Sequence, residues 1–434
     1  MDTEVLADLV AEAFARRVDA VQGLSPQATT LALACRDMAE RFARGGRLLV
    51  FGNGGGSTDA QHVAVEFVHP VIVGKRALPA LSLVSDAATL MGVANRSGLE
   101  HVYAHQIDVL GRPDDIALGL SVDGRCANVR AGLRAAREAG LLTVALLGGD
   151  GGGLAQETDH AVLVASTDPM VVKEGHVTAY HLLWELVHVF LDAPADSPDL
   201  PHEATGMESL YPFLYGGKSD AVPLLEAAAE SVRQKVDEIV ALRAQVGRDQ
   251  GAVLATCGTQ LALAFADGAT LYAFGNGGSS TDAQDAVHTF LDPPAPARPL
   301  PALGLTNDAA VLTALSNDVS FDVVFSRQVR AFGRAGDIAL ALSTSGGSPN
   351  VLAAIDTAAA MGMITVGFAG YGGGRMAELS TLHHLFQVPS ASVHRVQEVQ
   401  TTLYHVLWEA TVHAGGRVSG PAAVAPRPPL PARG

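Results

Sequence analysis

The sequence predicts two tandem α/β domains, each a parallel sheet covered by helices on both faces. Three observations carry that reading. The segment Phe51-Gly-Asn-Gly-Gly-Gly-Ser-Thr-Asp-Ala-Gln61 returns as Phe274-Gly-Asn-Gly-Gly-Ser-Ser-Thr-Asp-Ala-Gln284. In each half, short apolar runs alternate with helix-period stretches, the pattern of strands buried on both faces of a parallel sheet. The 434 residues are 48% hydrophobic and only 17% charged, enough apolar chain for two cores.

The elements follow in order. Residues 4–44 have apolar side chains at three- and four-residue spacing and read as helical. A strand at 47–51 runs into the first glycine turn, and further strands are expected at 81–84, 116–120 and 142–146 before a closing helix at 174–191. The second half repeats the series. Its leading helix spans 221–266, with Leu224, Leu225, Ala228, Val232, Val236, Ile239 and Leu242 on one stripe. Strands at 270–274, 302–305, 338–342 and 364–368 and a closing helix at 397–412 match the first half. The boundaries are 1–195 for the first domain, 196–218 for a linker and 219–416 for the second domain. The Pro-rich tail at 417–434 is expected to be disordered.

A formal net charge of −16 argues against a nucleic-acid surface, which needs clustered Lys and Arg. Cys35, Cys126 and Cys257 stand far apart without a CxxC pair, so neither a disulfide framework nor a thiolate zinc site is expected. No apolar run reaches membrane-spanning length, and the N-terminal residues lack the basic start and apolar centre of a secretory signal. A cytoplasmic protein is expected.

Each glycine turn stands where a strand becomes a helix. There glycine lets the backbone approach a ligand closely, and the helix N-terminus offers unpaired N–H groups to an anion. The second half adds Leu342-Ser-Thr-Ser-Gly-Gly-Ser-Pro-Asn350 directly after a strand. Ser343, Thr344, Ser345 and Ser348, with Asn276 and Ser279 from the neighbouring turn, make a phosphate cradle at the carboxyl ends of two strands.

Taken together, these motifs resemble the sugar isomerase (SIS) domain family, and within it the phosphoheptose isomerases that act on sedoheptulose 7-phosphate. The residues that carry the resemblance are the two GNGG turns, the pairs Ser85-Asp86 and Asn307-Asp308, the Ser-Thr-Ser loop, and Gln397 with His405 on the closing helix. The resemblance implies a doubly wound, flavodoxin-like domain, a tetrameric array and a metal-assisted aldose–ketose isomerase. In this chain that array would be a homodimer with four SIS domains. The metal would be a divalent cation, zinc in the first instance.

Carried over position by position, the family's His and Glu are His62 and Glu66, whose i, i+4 spacing puts both on one helix face. The second half has Asp285 and Thr289 there instead. The family's Gln is Gln397 in the second half but Lys173 in the first, and its His is present in both, as His405 and His181. The first half has Gly56 for Ser279, and Asp123 stands in its phosphate loop. The losses are complementary, so one composite site drawing on both halves is expected. Its metal set is His62, Glu66, Gln397 and His405, with Glu66 as base and His405 or His181 as acid/base or fourth ligand. Asn276, Ser279, Ser343, Thr344, Ser345 and Ser348 would hold the phosphate, while Asn307, Asp308, Asn53 and Asp86 would contact the substrate. Gln397 and His405 lie about 12 Å apart along one straight helix, too far to share a metal. Either the helix begins after Gln397 or the histidine comes from another copy. His394 stands where family members often have Asp. The reading from another class is a non-catalytic regulator that binds a sugar phosphate, or an adaptor for the replication initiator.

Overall fold

The computed structural model describes residues 3–72, 74–192 and 221–418. The linker at 196–218 lies outside them, as does nearly all of the tail. Helices α1 (Thr3–Gln22) and α2 (Ala28–Ala43) open the first repeat. They are separated by a 3-10 turn at Ser25–Gln27, because Pro26 cannot continue a helix hydrogen-bond ladder. Strand β1 (Leu48–Gly52), helix α3 (Gly55–Val68), β2 (Ala80–Ser82), α4 (Ala87–Ser97) and α5 (Val102–Leu110) follow. Then come β3 (Ile116–Ser121), α6 (Ala127–Glu138), β4 (Leu142–Gly148), the short α7 (Leu154–Glu157), β5 (His160–Val164) and α8 (Pro169–Asp192).

The second repeat opens with one 46-residue helix, α9 (Ala221–Ala266). It continues through β6 (Leu271–Phe274), α10 (Gly278–Leu291), β7 (Ala302–Gly304), α11 (Ala309–Asp318), α12 (Val324–Phe332) and β8 (Ile338–Ser343). The last elements are α13 (Pro349–Ala360), β9 (Ile364–Gly370), β10 (His384–Val388) and α14 (Val393–Val418).

Each repeat holds a five-stranded parallel sheet, ordered β2-β1-β3-β4-β5 and β7-β6-β8-β9-β10. This is the flavodoxin-like doubly wound order, whose ligand crevice lies at the carboxyl ends of the strands. The fifth strands were not expected. His160 and His384, which match no motif, open them at equivalent positions, bonded to Asp37 and Gln260.

The two repeats pack through their helices. α3 lies against α10, α8 against α14, and α1 against α9. One hydrophobic cluster runs continuously through both repeats and includes Tyr180, Trp184, Tyr404 and Leu407 of the closing helices. Consequently α8, a surface helix in an isolated domain of this topology, is buried along most of its length, and its polar residues must find partners inside. The three cysteines are free thiols, and no helix among the described residues is long and apolar enough to cross a membrane.

Candidate functional site

The turn after β1 starts α3, and the i, i+4 geometry places His62 Nε2 3.5 Å from Glu66 Oε1. Both side chains are buried. Across from them α8 presents His181, and donor atoms of His62, Glu66 and His181 all lie within 4.8 Å of one another. The second repeat contributes Gln397, whose Nε2 is 3.1 Å from His62 Nε2. Helix α14 is unbroken from Val393 to Val418, so Gln397 and His405 do share one helix. The second of the two alternatives therefore applies, and the histidine beside Gln397 comes from the other repeat, as His181.

The assignment of His405 to the set with His62, Glu66 and Gln397 is corrected. Its Nδ1 lies 2.9 Å from Glu174 Oε1 and its Nε2 3.2 Å from Asp285 Oδ2, so both ring nitrogens are engaged in a second cluster between the repeats. That cluster is the pseudo-symmetric counterpart of the first, with Asp285, Thr289 and Lys173 at the positions of His62, Glu66 and Gln397.

Two glutamates organise the pair of clusters, and sequence reasoning missed both. Glu398 of the second repeat lies 2.9 Å from His181 Nδ1 in the first, just as Glu174 of the first holds His405 of the second. The available signal was their identity in both repeats, Lys173-Glu174 and Gln397-Glu398, within otherwise apolar helix faces. Burial and the neighbouring His394 ring push the His181 pKa well below the ordinary histidine range. The ring is therefore neutral, its Nδ1–H donates to Glu398, and the Nε2 lone pair faces the cluster. Among the described residues His181 Nε2 has no hydrogen-bond partner, and neither has Gln397 Oε1. Two orphaned buried acceptors beside an imidazole and a carboxylate form a donor set that fits a divalent cation of the zinc type.

His394 bridges two carboxylates, with Nδ1 2.8 Å from Glu185 Oε1 and Nε2 3.2 Å from Glu66 Oε2, and stacks on His181 at 4.5 Å. Burial opposes charge on it, but hydrogen bonds to Glu185 and Glu66 prevail and raise its pKa to about 9. Burial likewise opposes charge on Glu66, yet the hydrogen bonds with His394 and His62 hold its carboxyl well below the usual range. Glu66 is thus an ionised carboxylate with one oxygen toward His62 and the other toward His394.

The anion turn of the second repeat adjoins this cluster directly. A Cβ built on Gly278 would lie 2.1 Å from Gln397 Nε2 and 2.7 Å from His62 Nε2, so a side chain here would displace both groups. Ser279 follows, buried at the start of α10. On the adjacent strand end Ser343 Oγ lies 3.1 Å from Ser348 Oγ and 3.5 Å from Ser345 Oγ, and the Gly347 N–H donates to Ser345 Oγ. Thr344 stands between them, half-buried.

Other expected contacts serve the scaffold. Asn276 exchanges two side-chain hydrogen bonds with Asn350, as Asn53 does with Asn128, which ties each glycine turn to the neighbouring loop. Asp86 and Asp308 cap α4 and α11, accepting from the Thr89 and Val311 N–H groups. Asn307 is exposed beside Asp308.

A family model described as "SIS domain" matches residues 12–148 and 236–370. The phosphoheptose isomerase of Desulfovibrio desulfuricans is 46% identical over 171 residues, which is 39% of this chain and 80% of that protein. The phosphoheptose isomerase of Aquifex aeolicus is 43% identical over 153 residues, 34% of this chain and 78% of that protein. Each such alignment spans about one repeat. Over the whole chain, the C-terminal domain of glucosamine-fructose-6-phosphate aminotransferase from Francisella tularensis superposes with a TM-score of 0.59, covering 92% of this chain and 96% of that one. At 11% identity that likeness concerns the fold alone.

Proposed function

Because the chain belongs to the SIS domain family, with one copy of the domain in each half, we propose that it is an aldose–ketose isomerase. It converts sedoheptulose 7-phosphate to an aldoheptose 7-phosphate through an enediol, at a single composite site between the repeats. The relatives named above support the reaction class. The observation that carries the composite site is the close approach of Gly278 to His62, which joins the anion turn of the second repeat to the histidine and glutamate of the first.

In this reading the phosphate is held by Ser279, Ser343, Thr344, Ser345 and Ser348 together with the N–H groups of the two turns. The carbonyl end of the sugar then reaches the cluster. Glu66 takes the proton from C1, beside the C2 carbonyl, and delivers it to C2, while the C1 hydroxyl proton passes to the C2 oxygen, so that the enediol closes with the carbonyl on C1. His394 fixes the orientation of Glu66 and keeps it ionised. His62, Glu66, His181 and Gln397 would hold the divalent cation, zinc on this donor set, which when bound supplies charge stabilisation for the enediolate oxygen. Two chains associate in this proposal to give four SIS domains, a mass that light scattering reads directly.

The test is incubation of the full chain with sedoheptulose 7-phosphate and zinc, followed by NMR. Appearance of the aldose supports the proposal. Saturable binding without turnover, with zinc and with other divalent metals, would replace it with a non-catalytic sugar-phosphate regulator.

A further inference from the structure

The second cluster adjoins a cavity of about 370 Å³ between the repeats. Its walls include the glycine turn at 54–56, Asp59, Lys173, His176, Cys126 and Thr289. It is the pseudo-symmetric partner of the proposed active site, and three features set its chemistry apart.

First, a built-in cation stands where the first site offers a metal ligand. Lys173, equivalent to Gln397, is 5% exposed and bonded to Asp59 Oδ1, with Asp285 Oδ2 at 3.9 Å. Asp285 is further satisfied by Tyr404 and His405. The charges of Lys173, Asp59, Asp285 and His405 are therefore matched within the protein, and a charged ligand gains nothing from them.

Second, the chain fills its own phosphate loop. Asp123 Oδ1 accepts the Arg125 N–H at 2.8 Å, as Ser345 Oγ accepts the Gly347 N–H in the other repeat. The Arg125 guanidinium is engaged within the protein, one nitrogen donating to the Asp123 carbonyl and the other to both Asp150 oxygens. Of the other hydroxyl positions Ser121 is kept, and Gly56, Val122 and Cys126 stand at the rest. A phosphate arriving here meets a carboxylate and, of the cradle hydroxyls, that of Ser121 alone.

Third, two residues of the cavity wall, Asp59 and His176, each carry a buried polar atom without a partner. Asp59 Oδ2 and His176 Nε2, on residues 0% and 2% exposed, have no hydrogen-bond partner among the described residues. Such orphans are rare in a folded interior and call for a ligand's hydrogen-bonding groups. The remaining wall combines apolar side chains, Leu120, Val122, Met170 and Pro293, with the polar Asn53, Ser121, His288 and Asp292. A cavity of this size with a few convergent polar groups suits a small, neutral, hydroxyl-bearing molecule.

We propose that this second cavity is a metal-free binding site for an uncharged polyhydroxylated ligand, an unphosphorylated sugar or alditol. It goes beyond the isomerase reading and does not depend on it.

Cys126 gives the test, because it lines the cavity and is half-buried while Cys35 and Cys257 are buried. The rate of Cys126 alkylation by iodoacetamide is measured by mass spectrometry on the full chain, with sedoheptulose, glucitol, ribitol or inorganic phosphate added. At least one of the neutral polyols should slow alkylation saturably, about tenfold at ten times its dissociation constant, and phosphate at the same concentration should not. The protection should persist in Ser345→Asp, which disables the phosphate cradle of the first site, and should be lost in Asp59→Asn or, should that variant not fold, in Thr289→Val. No protection by any of the three polyols, equal protection by phosphate, or loss of protection in Ser345→Asp overturns the proposal.

Discussion

His181 Nδ1 and Glu398 Oε1 lie 2.9 Å apart although they belong to different repeats. The contact is made inside the helix pair α8–α14, and it turns the unpartnered Nε2 of His181 toward His62 and Glu66. A carboxylate behind a histidine fixes the tautomer and ring orientation that a metal ligand needs.

Glu398→Gln should therefore weaken zinc binding without removing any of its proposed ligands. Loss of an outer partner of this type costs about 10–100-fold in metal affinity. Competition with a chromophoric chelator measures it, and unchanged affinity in a folded variant would show that Glu398 does not position His181.

Glu66→Gln and Ser345→Ala should separate turnover from binding. Removing the base should lower kcat by at least about a hundredfold, with little change in phosphate affinity. Removing one hydroxyl from the cradle should weaken substrate binding by about 1–3 kcal/mol, the range for a hydrogen bond to a charged group, and so raise KM more than it lowers kcat. The reverse pattern in either variant would contradict the roles assigned.

His405→Gln should cost stability and leave zinc in place. The imidazolium is sandwiched between Glu174 and Asp285, and breaking a buried pair of this kind costs about 3–5 kcal/mol. Burial opposes charge on His405, but Asp285 and Glu174 raise its pKa above the ordinary 6.5. Its stabilisation is complete below 6.5 and is lost as pH rises through the raised value. Burial would raise Glu174, but Arg17 and His405 hold it below the ordinary 4.5, so its share is present above 4.5 and lost as pH falls through the lowered value. The stability gap between wild type and His405→Gln should thus be widest at about pH 4.5–6.5, as denaturant melts across pH will read.

Much of this was legible in the sequence because it depends on local spacing. The strand-turn-helix motif, the i, i+4 pair and the hydroxyl loop each lie within a short segment. The 12 Å rise between Gln397 and His405 also required a histidine from elsewhere if that helix were continuous. What was not legible depends on packing between repeats. Nothing in one helix says that Glu398 meets His181, that His394 bridges Glu66 and Glu185, or that Asn276 is spent on Asn350. The fifth strands escaped because His160 and His384 break short apolar runs at their first residue.

In the proposed enzyme one site is assembled from both repeats. A crystal structure with zinc and sedoheptulose 7-phosphate, with anomalous data collected at the zinc edge, tests it most directly. One zinc per chain is expected among His62, Glu66, His181 and Gln397, with the sugar phosphate seated on Ser343 through Ser348. Zinc at the Asp285–His405 cluster, or phosphate seated on Ser121 through Cys126, would contradict it.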